Sequence, residues 1–397
     1  MLTPADADAA IAAALAVAAT ERVPLSACVG RVLREPVYAE RDAPPFDRVT
    51  MDGIAIASAA LGRRDFRIAG VQAAGQPPLT LPGPADCIEV MTGAMLPAGC
   101  DTIVPVERLT VANGTATIAA DYAPQAGQFV HRQAANAKSG DRLLDPGMRL
   151  GAPEIAIAAS AGLTGLDVSR QPRIAIISTG DELIEPGMPL APHQVRRSNA
   201  YGLAAALRGA GFRAATDLHL PDDPATLQTK LAQVLDQHDV LVLSGGVSAG
   251  RFDHVPAALA ALGVRKVFHH VAQRPGRPMW FGAGTGGTLV FALPGNPVSV
   301  LVCLVRYVIP ALIRRAGAEP PPRAVFRLSR EYPFPAPLTC FLPVAVRYDP
   351  DGTHRAEPRP TGGSGDFISL AGTDGFVELP PGPAIHPEGL TVPFQHW

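Results

Sequence analysis

Residues able to do chemistry concentrate in a handful of turns. The stretch 240–256 reads VLVLSGGVSAGRFDHVP. An apolar run leads into Ser244, Gly245 and Gly246; Ser248 follows, and Asp253 stands seven residues after Gly246. A short apolar run bounded by turn residues predicts a buried parallel strand. Glycines at its carboxyl end leave backbone N–H groups free and let a ligand approach closely. Asp253, at the start of the next helix, puts a carboxylate beside a phosphate-sized pocket, where it can hold a cation. Two other strand ends carry polar turns: STGDEL at 178–183, with Glu182, and LPGNP at 293–297, with Pro294, Asn296 and Pro297. All three turns are expected on one edge of a sheet, where open α/β folds bind ligands. Asp222 and Asp223 stand before a helix start at Pro224. In QRPGRP (273–278) two arginines, Arg274 and Arg277, flank Pro-Gly and present fixed positive charge suited to phosphate or another oxyanion.

The first third of the chain holds weaker signals. Asp52-Gly53 enters an apolar run as a tight turn; Asp52 is either a simple turn acid or points at a ligand. Thr92 lies in a Gly/Pro loop between two strand-like runs, where a hydroxyl and free amides can bind an oxyanion. Asp101 and Glu107 read as solvated or turn residues. Near the other end, RPTGGSGDFISL (359–370) carries Ser364 in a turn that is either an ordinary hairpin or reaches a ligand.

These residues need a scaffold of more than one kind. Strand–turn–helix units repeat over 173–317 and predict a parallel sheet covered on both faces. Within them, Ser198-Asn199 is expected to cap a helix to about Leu207, and a helix after Pro297 is expected to run through Tyr307. Segment 23–145 reads as short strands, with Asn113-Gly114 as a hairpin turn. Thr3-Pro4-Ala5-Asp6 starts an Ala-rich helix expected to reach about Ala19. Leu150–Ala161 predicts a short helix stopped by Gly162. The Pro-rich remainder from 320 predicts a small β-barrel or sandwich. The fold class is therefore α/β plus β, in several domains.

Bulk properties narrow the function. Lys plus Arg number 34 against 36 Asp plus Glu in 397 residues, so no polyanion-binding surface is indicated and nucleic acid is not the expected partner. The 41 prolines and 39 glycines fit a turn-rich chain rather than a helical bundle. Five scattered cysteines without a CxxC pair argue against a disulfide framework or structural zinc and fit a reducing, cytoplasmic setting. The apolar start carries Asp6 and Asp8 and lacks a basic region, so it does not read as a signal peptide, and no apolar run reaches membrane-spanning length.

The motifs PPFDRVTMDGIAI, VMTGAMLPAGCDTIVPVE, STGDEL, RRSNAYGL, PDDPATL, LSGGVSAGRFDHV, RPGRP and LPGNPVS occur in the order and approximate spacing of the MoeA family. The chain resembles these bacterial molybdopterin molybdenumtransferases, relatives of the gephyrin E domain, over essentially its whole length. The resemblance implies four parts: a discontinuous elongated domain (1–24 and 140–170), an inserted β-rich domain (25–139), a molybdopterin-binding α/β domain (171–318) and a C-terminal β-barrel (319–397). It implies a homodimer whose cleft lies between the α/β domain of one subunit and the β-rich domain of the other. The implied reaction converts adenylylated molybdopterin and molybdate into molybdenum cofactor and AMP, with Mg²⁺. A molybdopterin adenylyltransferase or a client molybdoenzyme would be the protein partner.

By motif, the resemblance assigns catalytic roles to Asp52, Thr92, Glu182, Asp222 and Asp253, with Asp222 and Asp253 holding Mg²⁺. It assigns substrate binding to Ser244, Gly245, Gly246, Ser248, Arg274, Arg277, Pro294, Asn296, Pro297 and Ser364. Glu182 either orients Mg²⁺-bound water or meets the pterin. Some positions depart from the family pattern. His131 stands where an Arg is usual, and Ala134-Ala135-Asn136 where Gly-Glu-Asp is usual. Ile54 and His254 replace tyrosines, and both arginines of RPGRP replace lysines. Two readings follow: a transferase, or a paralogue that binds molybdopterin or the finished cofactor and delivers it to a client enzyme.

Overall fold

The structure, a computed structural model, describes residues 1–212, 215–247, 254–359 and 361–397. The first helix, Pro4–Ala13, opens with the expected reciprocal cap: Asp6 N–H donates to Thr3 Oγ1 at 3.1 Å, and Thr3 N–H donates to Asp6 Oδ2 at 3.1 Å. It stops six residues short of the expected Ala19. Ala18 N–H is held by Arg315 O at 2.7 Å, and Thr20–Pro24 is drawn into an antiparallel ribbon with Gly165–Ser169. Intrinsic helix preference separates most residue types by only about half a kcal/mol, so here it yields to strand pairing with a distant segment. The helix Ala152–Ser160 and this ribbon share a core of Cys28, Leu33, Leu144, Ala158 and Val168.

The β-rich part between them is a sheet ordered Thr102–Pro105, Gly53–Ile56, Asp86–Val90, Asp65–Gln72, Thr115–Ile118 and Leu109–Ala112. Gly53–Ile56 is buried along its whole length, between two small apolar cores on opposite faces. Asn113 and Gly114 have φ of 49° and 74°, the left-handed pair that the hairpin turn requires.

In the α/β part the order is Ala215–Leu220, Ile174–Thr179, Val240–Ser244, Leu289–Leu293, Trp280–Ala283 and Arg265–His269. The first four are parallel. Trp280–Ala283 is antiparallel to both of its neighbours, so the sheet expected to be parallel has one reversed strand. Gly284-Thr285-Gly286-Gly287 makes a hairpin, with Gly284 N–H to Thr288 O at 2.8 Å, so this connection needs no crossover helix. Helices Asn199–Gly209 and Pro297–Arg315 cover one face, together with Ala7 and Ile11 of the first helix. Pro224–Gln237 and Val255–Ala261 cover the other.

The helix from Pro297 runs on to Arg315, eight residues beyond the expected end. Its middle, Leu304–Val308, widens into a π-turn just before Pro310, which has no N–H to donate and whose ring crowds the preceding turn. This helix is apolar enough, at 19 residues, to cross a membrane by composition, and 67 % of that span is buried in the protein core. The last strands, Thr339–Tyr348, His354–Pro358, Ala324–Leu328, Thr391–His396 and Gly375–Leu379, pair in that order and close back on Thr339–Tyr348 as a barrel. Gln273–Arg274 adds to Thr339–Cys340 in parallel, joining the basic turn to the barrel wall.

Candidate active-site groove

The sheet order creates the site. From Ile174–Thr179 the chain crosses to the neighbour on one side, then returns to Val240–Ser244 on the other. The loops after these two strands diverge and leave a crevice at their carboxyl ends. A hollow of about 990 Å³ opens there, lined by Thr179, Glu182, Asp222, Ser244 and Gly245 among others. A second hollow of about 790 Å³ holds Arg274, Arg277, Pro294 and Ser364. Gly295 and Asn296 line both, so the two hollows meet at this turn, and together they are the groove. A smaller cavity of about 230 Å³, near Arg149 and Gly211, contains none of the predicted site residues.

Backbone geometry explains the glycines of the central turn. Gly245 and Gly246 have φ of +99° and +69°, and a Cβ on Gly246 would lie 2.8 Å from Val255 Cγ2. The Gly245 N–H, expected to be free for a ligand, instead donates to Leu293 O at 3.2 Å and joins two of the turns. Asn199, expected as part of a helix cap, has another use. Its Nδ2 donates to Ser244 Oγ at 2.9 Å and Gly295 O at 2.7 Å, tying the same two turns together. Ser198 occupies the N-cap position without a side-chain bond. Asn296 Nδ2 donates to Ser364 Oγ at 2.7 Å, and Val298 N–H to Ser364 O at 3.1 Å. The 359–370 stretch therefore folds onto the groove instead of forming a detached hairpin. Ser178 Oγ and Thr179 Oγ1 are buried and unpartnered among the described residues, and both residues line the groove. Sequence reasoning passed over them as part of a strand end. The signal was present: polar residues terminating a wholly buried strand.

The acids divide their work. Asp223 caps its helix, accepting from Thr226 N–H at 2.8 Å, and Thr226 holds its carboxyl below the usual range. Asp222 faces the groove. Burial, then the neighbouring Asp181 and Glu182, push its carboxyl above the usual range. A carboxylate crowded by like charges gains from a bound cation, so this environment fits a divalent metal. Among the described residues no cluster of three His, Cys, Asp or Glu side chains could hold a metal ion. Ser248 and Asp253, the latter expected as the second metal ligand, lie outside the described residues.

At the other end of the groove Arg274 and Arg277 are exposed, and among the described residues neither forms an ion pair. Their turn is fixed from beneath by Gln273, which is fully buried. It donates to Pro275 O at 3.2 Å and accepts from the Tyr307 hydroxyl. A Cβ on Gly276 would fall 2.6 Å from Cys303 Sγ. Two guanidiniums on a rigid turn, without carboxylate partners, can bind an oxyanion.

Asp52 and Thr92 meet each other but not this groove. Thr92 N–H and Oγ1 donate to Asp52 Oδ1 at 2.6 Å and 2.7 Å, and these bonds hold the Asp52 carboxyl below its usual range. Nearby, His131 Nε2 lies 3.1 Å from Asn136 Oδ1, while Arg48 approaches His131 Nδ1 at 3.3 Å. Ala134 has φ +60°.

Three family models cover most of the chain. The MoeA N-terminal region (domain I and II) matches residues 2–162, a probable molybdopterin binding domain matches 175–314, and the MoeA C-terminal region (domain IV) matches 325–397. The molybdopterin molybdenumtransferase of Synechocystis sp. is 42 % identical over 371 residues, 93 % of each chain. That of Bacillus subtilis is 32 % identical over 387 residues, 94 % of this chain and 89 % of its own. The crystal structure of a molybdopterin biosynthesis MoeA protein from Pyrococcus horikoshii superposes with a TM-score of 0.80 at 29 % identity, covering 100 % of this chain and 99 % of that one.

Proposed function

Because the chain belongs to the MoeA family of molybdopterin molybdenumtransferases, enzymes of molybdenum cofactor biosynthesis, we propose that it inserts molybdate into adenylylated molybdopterin with Mg²⁺ and release of AMP. One observation carries this reading: two hollows that meet at Gly295-Asn296, one holding a crowded acid, Asp222, and the other two arginines, Arg274 and Arg277, without ion-pair partners among the described residues. In this reading the arginines hold molybdate as an oxyanion. Ser244, Gly245 and Gly246 give a backbone wall that phosphate oxygens can approach closely. Pro294, Asn296, Pro297 and Ser364 shape the wall between the two ends.

Asp222, with Asp253, would hold Mg²⁺; bound there, the ion offsets charge on the pyrophosphate that is cleaved. Glu182 lies on the same wall and either orients water or meets the pterin. Asp52 and Thr92 are preorganised on each other away from their own groove. We infer that they serve the groove of a second copy in a homodimer, and that the chain divides into the four domains set out from its sequence. The expected location is cytoplasmic.

A second reading is a carrier of molybdopterin or finished cofactor that serves a client molybdoenzyme or accepts substrate from a molybdopterin adenylyltransferase. The hydrogen-bonded His131 and Asn136 favour it, since they stand where the family has an arginine and an acid. AMP release from adenylylated molybdopterin, with and without molybdate and Mg²⁺, separates the two. Release dependent on both supports the transferase. Tight binding without release supports the carrier, and His131→Arg with Asn136→Asp would then be expected to restore turnover.

A further inference from the structure

The loop that Ser364 pins to the groove carries two apolar side chains into the open. Phe367 is 43 % exposed and Ile368 83 % exposed, and both line the 990 Å³ hollow. Long apolar side chains left this accessible on a fixed backbone are informative. The backbone here is fixed. Asp366 accepts from Gly362 N–H at 2.8 Å and Ser369 N–H at 3.3 Å, and Leu370 N–H donates to Phe367 O at 3.1 Å. Leu370 is anchored against the cluster of Val298, Phe341 and Phe376. The loop is thus held at both ends while its middle presents an aromatic ring to the groove.

Another wall of the same hollow is formed by Gly245 and Gly246, whose conformations and close contacts exclude side chains. Thr179 Oγ1 packs against these glycines: a Cβ on Gly245 or Gly246 would be 3.0 Å or 3.1 Å from it. A bare backbone wall and an exposed aromatic ring lining one hollow make a slot for a planar fused heterocycle.

We propose that Phe367, delivered by the C-terminal barrel, is a positioning residue that stacks on the pterin ring of the substrate, opposite the bare backbone of Gly245 and Gly246. This rests on the function proposed above, in which the groove takes a molybdopterin. A purine has a similar shape, so the adenine of the adenylylated substrate is the competing occupant.

The test uses the full chain and two probes, free pterin followed by its fluorescence and AMP followed by equilibrium dialysis. Phe367→Ala is expected to weaken pterin binding roughly ten-fold, the scale of losing one base–aromatic stack, and to leave AMP binding within about two-fold. Phe367→Tyr is expected to restore pterin binding. The KM for adenylylated molybdopterin should rise in Phe367→Ala more than kcat falls. Unchanged pterin affinity in Phe367→Ala would overturn the proposal, and so would a loss confined to AMP. The two readings fail separately. Pterin binding that depends on Phe367 without any AMP release would sink the transferase and keep the stacking role. Normal AMP release with unaltered pterin affinity and KM would do the reverse.

Discussion

Arg306 grips Asp8 with both carboxylate oxygens at 2.8 Å from its Nη1, across 298 positions of the sequence. The guanidinium is 3 % exposed and also reaches Glu378 at 3.1 Å. It therefore fastens the first helix and the barrel to the long helix Pro297–Arg315, whose first residue closes the groove turn. A buried charge this deep is tolerated only when paired. Arg306→Met should cost about 3 kcal/mol, at the lower end for breaking a buried pair, because Arg323 still contacts both acids. Denaturant unfolding measures it; a loss below roughly 1 kcal/mol, typical of surface pairs, would show that the clamp contributes little.

Asp222 sets a pH dependence with a definite sign. Its carboxyl is raised above the ordinary value by burial and by Asp181 and Glu182, so the native state favours the neutral form. Its contribution to stability is fully present below the unfolded value and is lost as pH rises through the native one. A bound cation reverses this, since it favours the carboxylate. Mg²⁺ should therefore raise the melting temperature at pH 7 and lose that effect as the pH falls into the carboxylate range. Asp222→Asn should weaken Mg²⁺ binding at least roughly ten-fold while leaving the metal-free protein no less stable. A Mg²⁺-induced shift that survives in Asp222→Asn would place the ion elsewhere.

The groove's outline was legible because strand ends and glycine turns follow local rules. Three polar turns after buried strands predicted one edge, and the structure gathers Glu182, Ser244, Pro297 and Asn296 there. What was not legible depended on distant partners. Asn199 looked like a cap until Ser244 and Gly295 stood opposite it. The helix after Tyr307 could not be followed past Pro310, because a π-turn ahead of a proline has no sequence mark of its own. The antiparallel pair Arg265–His269 and Trp280–Ala283 was hidden by the expectation that strands in a repeating α/β unit run one way. Asp52 and Thr92 were predicted as chemistry-bearing, but sequence could not say that they would meet each other first.

The two arginines of the basic turn should differ from lysines in a measurable way. A guanidinium offers two parallel N–H donors, whereas an ammonium is a point charge. Arg274→Ala or Arg277→Ala should raise the molybdate concentration needed for half-maximal AMP release by roughly ten-fold or more, since hydrogen bonds to charged groups contribute about 1.5–3 kcal/mol. Either Lys replacement should recover part of this. The same titration with sulfate as competitor checks that the effect is on oxyanion binding. An unchanged molybdate dependence in both Ala variants would remove the turn from the site.

The cysteines should be silent in the native state. All five are buried, and burial pushes the thiols of Cys87, Cys100, Cys303 and Cys340 up to about 12. Only the thiolate reacts with disulfide reagents. At neutral pH a colorimetric thiol reagent should therefore label none of these four in minutes, and all of them once denaturant is added. Rapid labelling of one in native protein would mean that its surroundings open far more often than the packing implies.

Ala134 is strained where its backbone is most constrained. Its φ of +60° is left-handed, and its N–H is held by Pro44 O at 3.0 Å, so it cannot relax to an ordinary conformation without losing that bond. Asn136 N–H is fixed likewise by Ala43 O at 2.8 Å. The left-handed region costs a residue with a Cβ about 1–2 kcal/mol and glycine almost nothing. Ala134→Gly should therefore stabilise the protein, by about 1 kcal/mol once the extra freedom of glycine in the unfolded chain is subtracted. Turnover should change little, because the turn already has the shape that a glycine would adopt. If Ala134→Gly instead lowered the unfolding midpoint, unfolded-chain entropy would outweigh the strain.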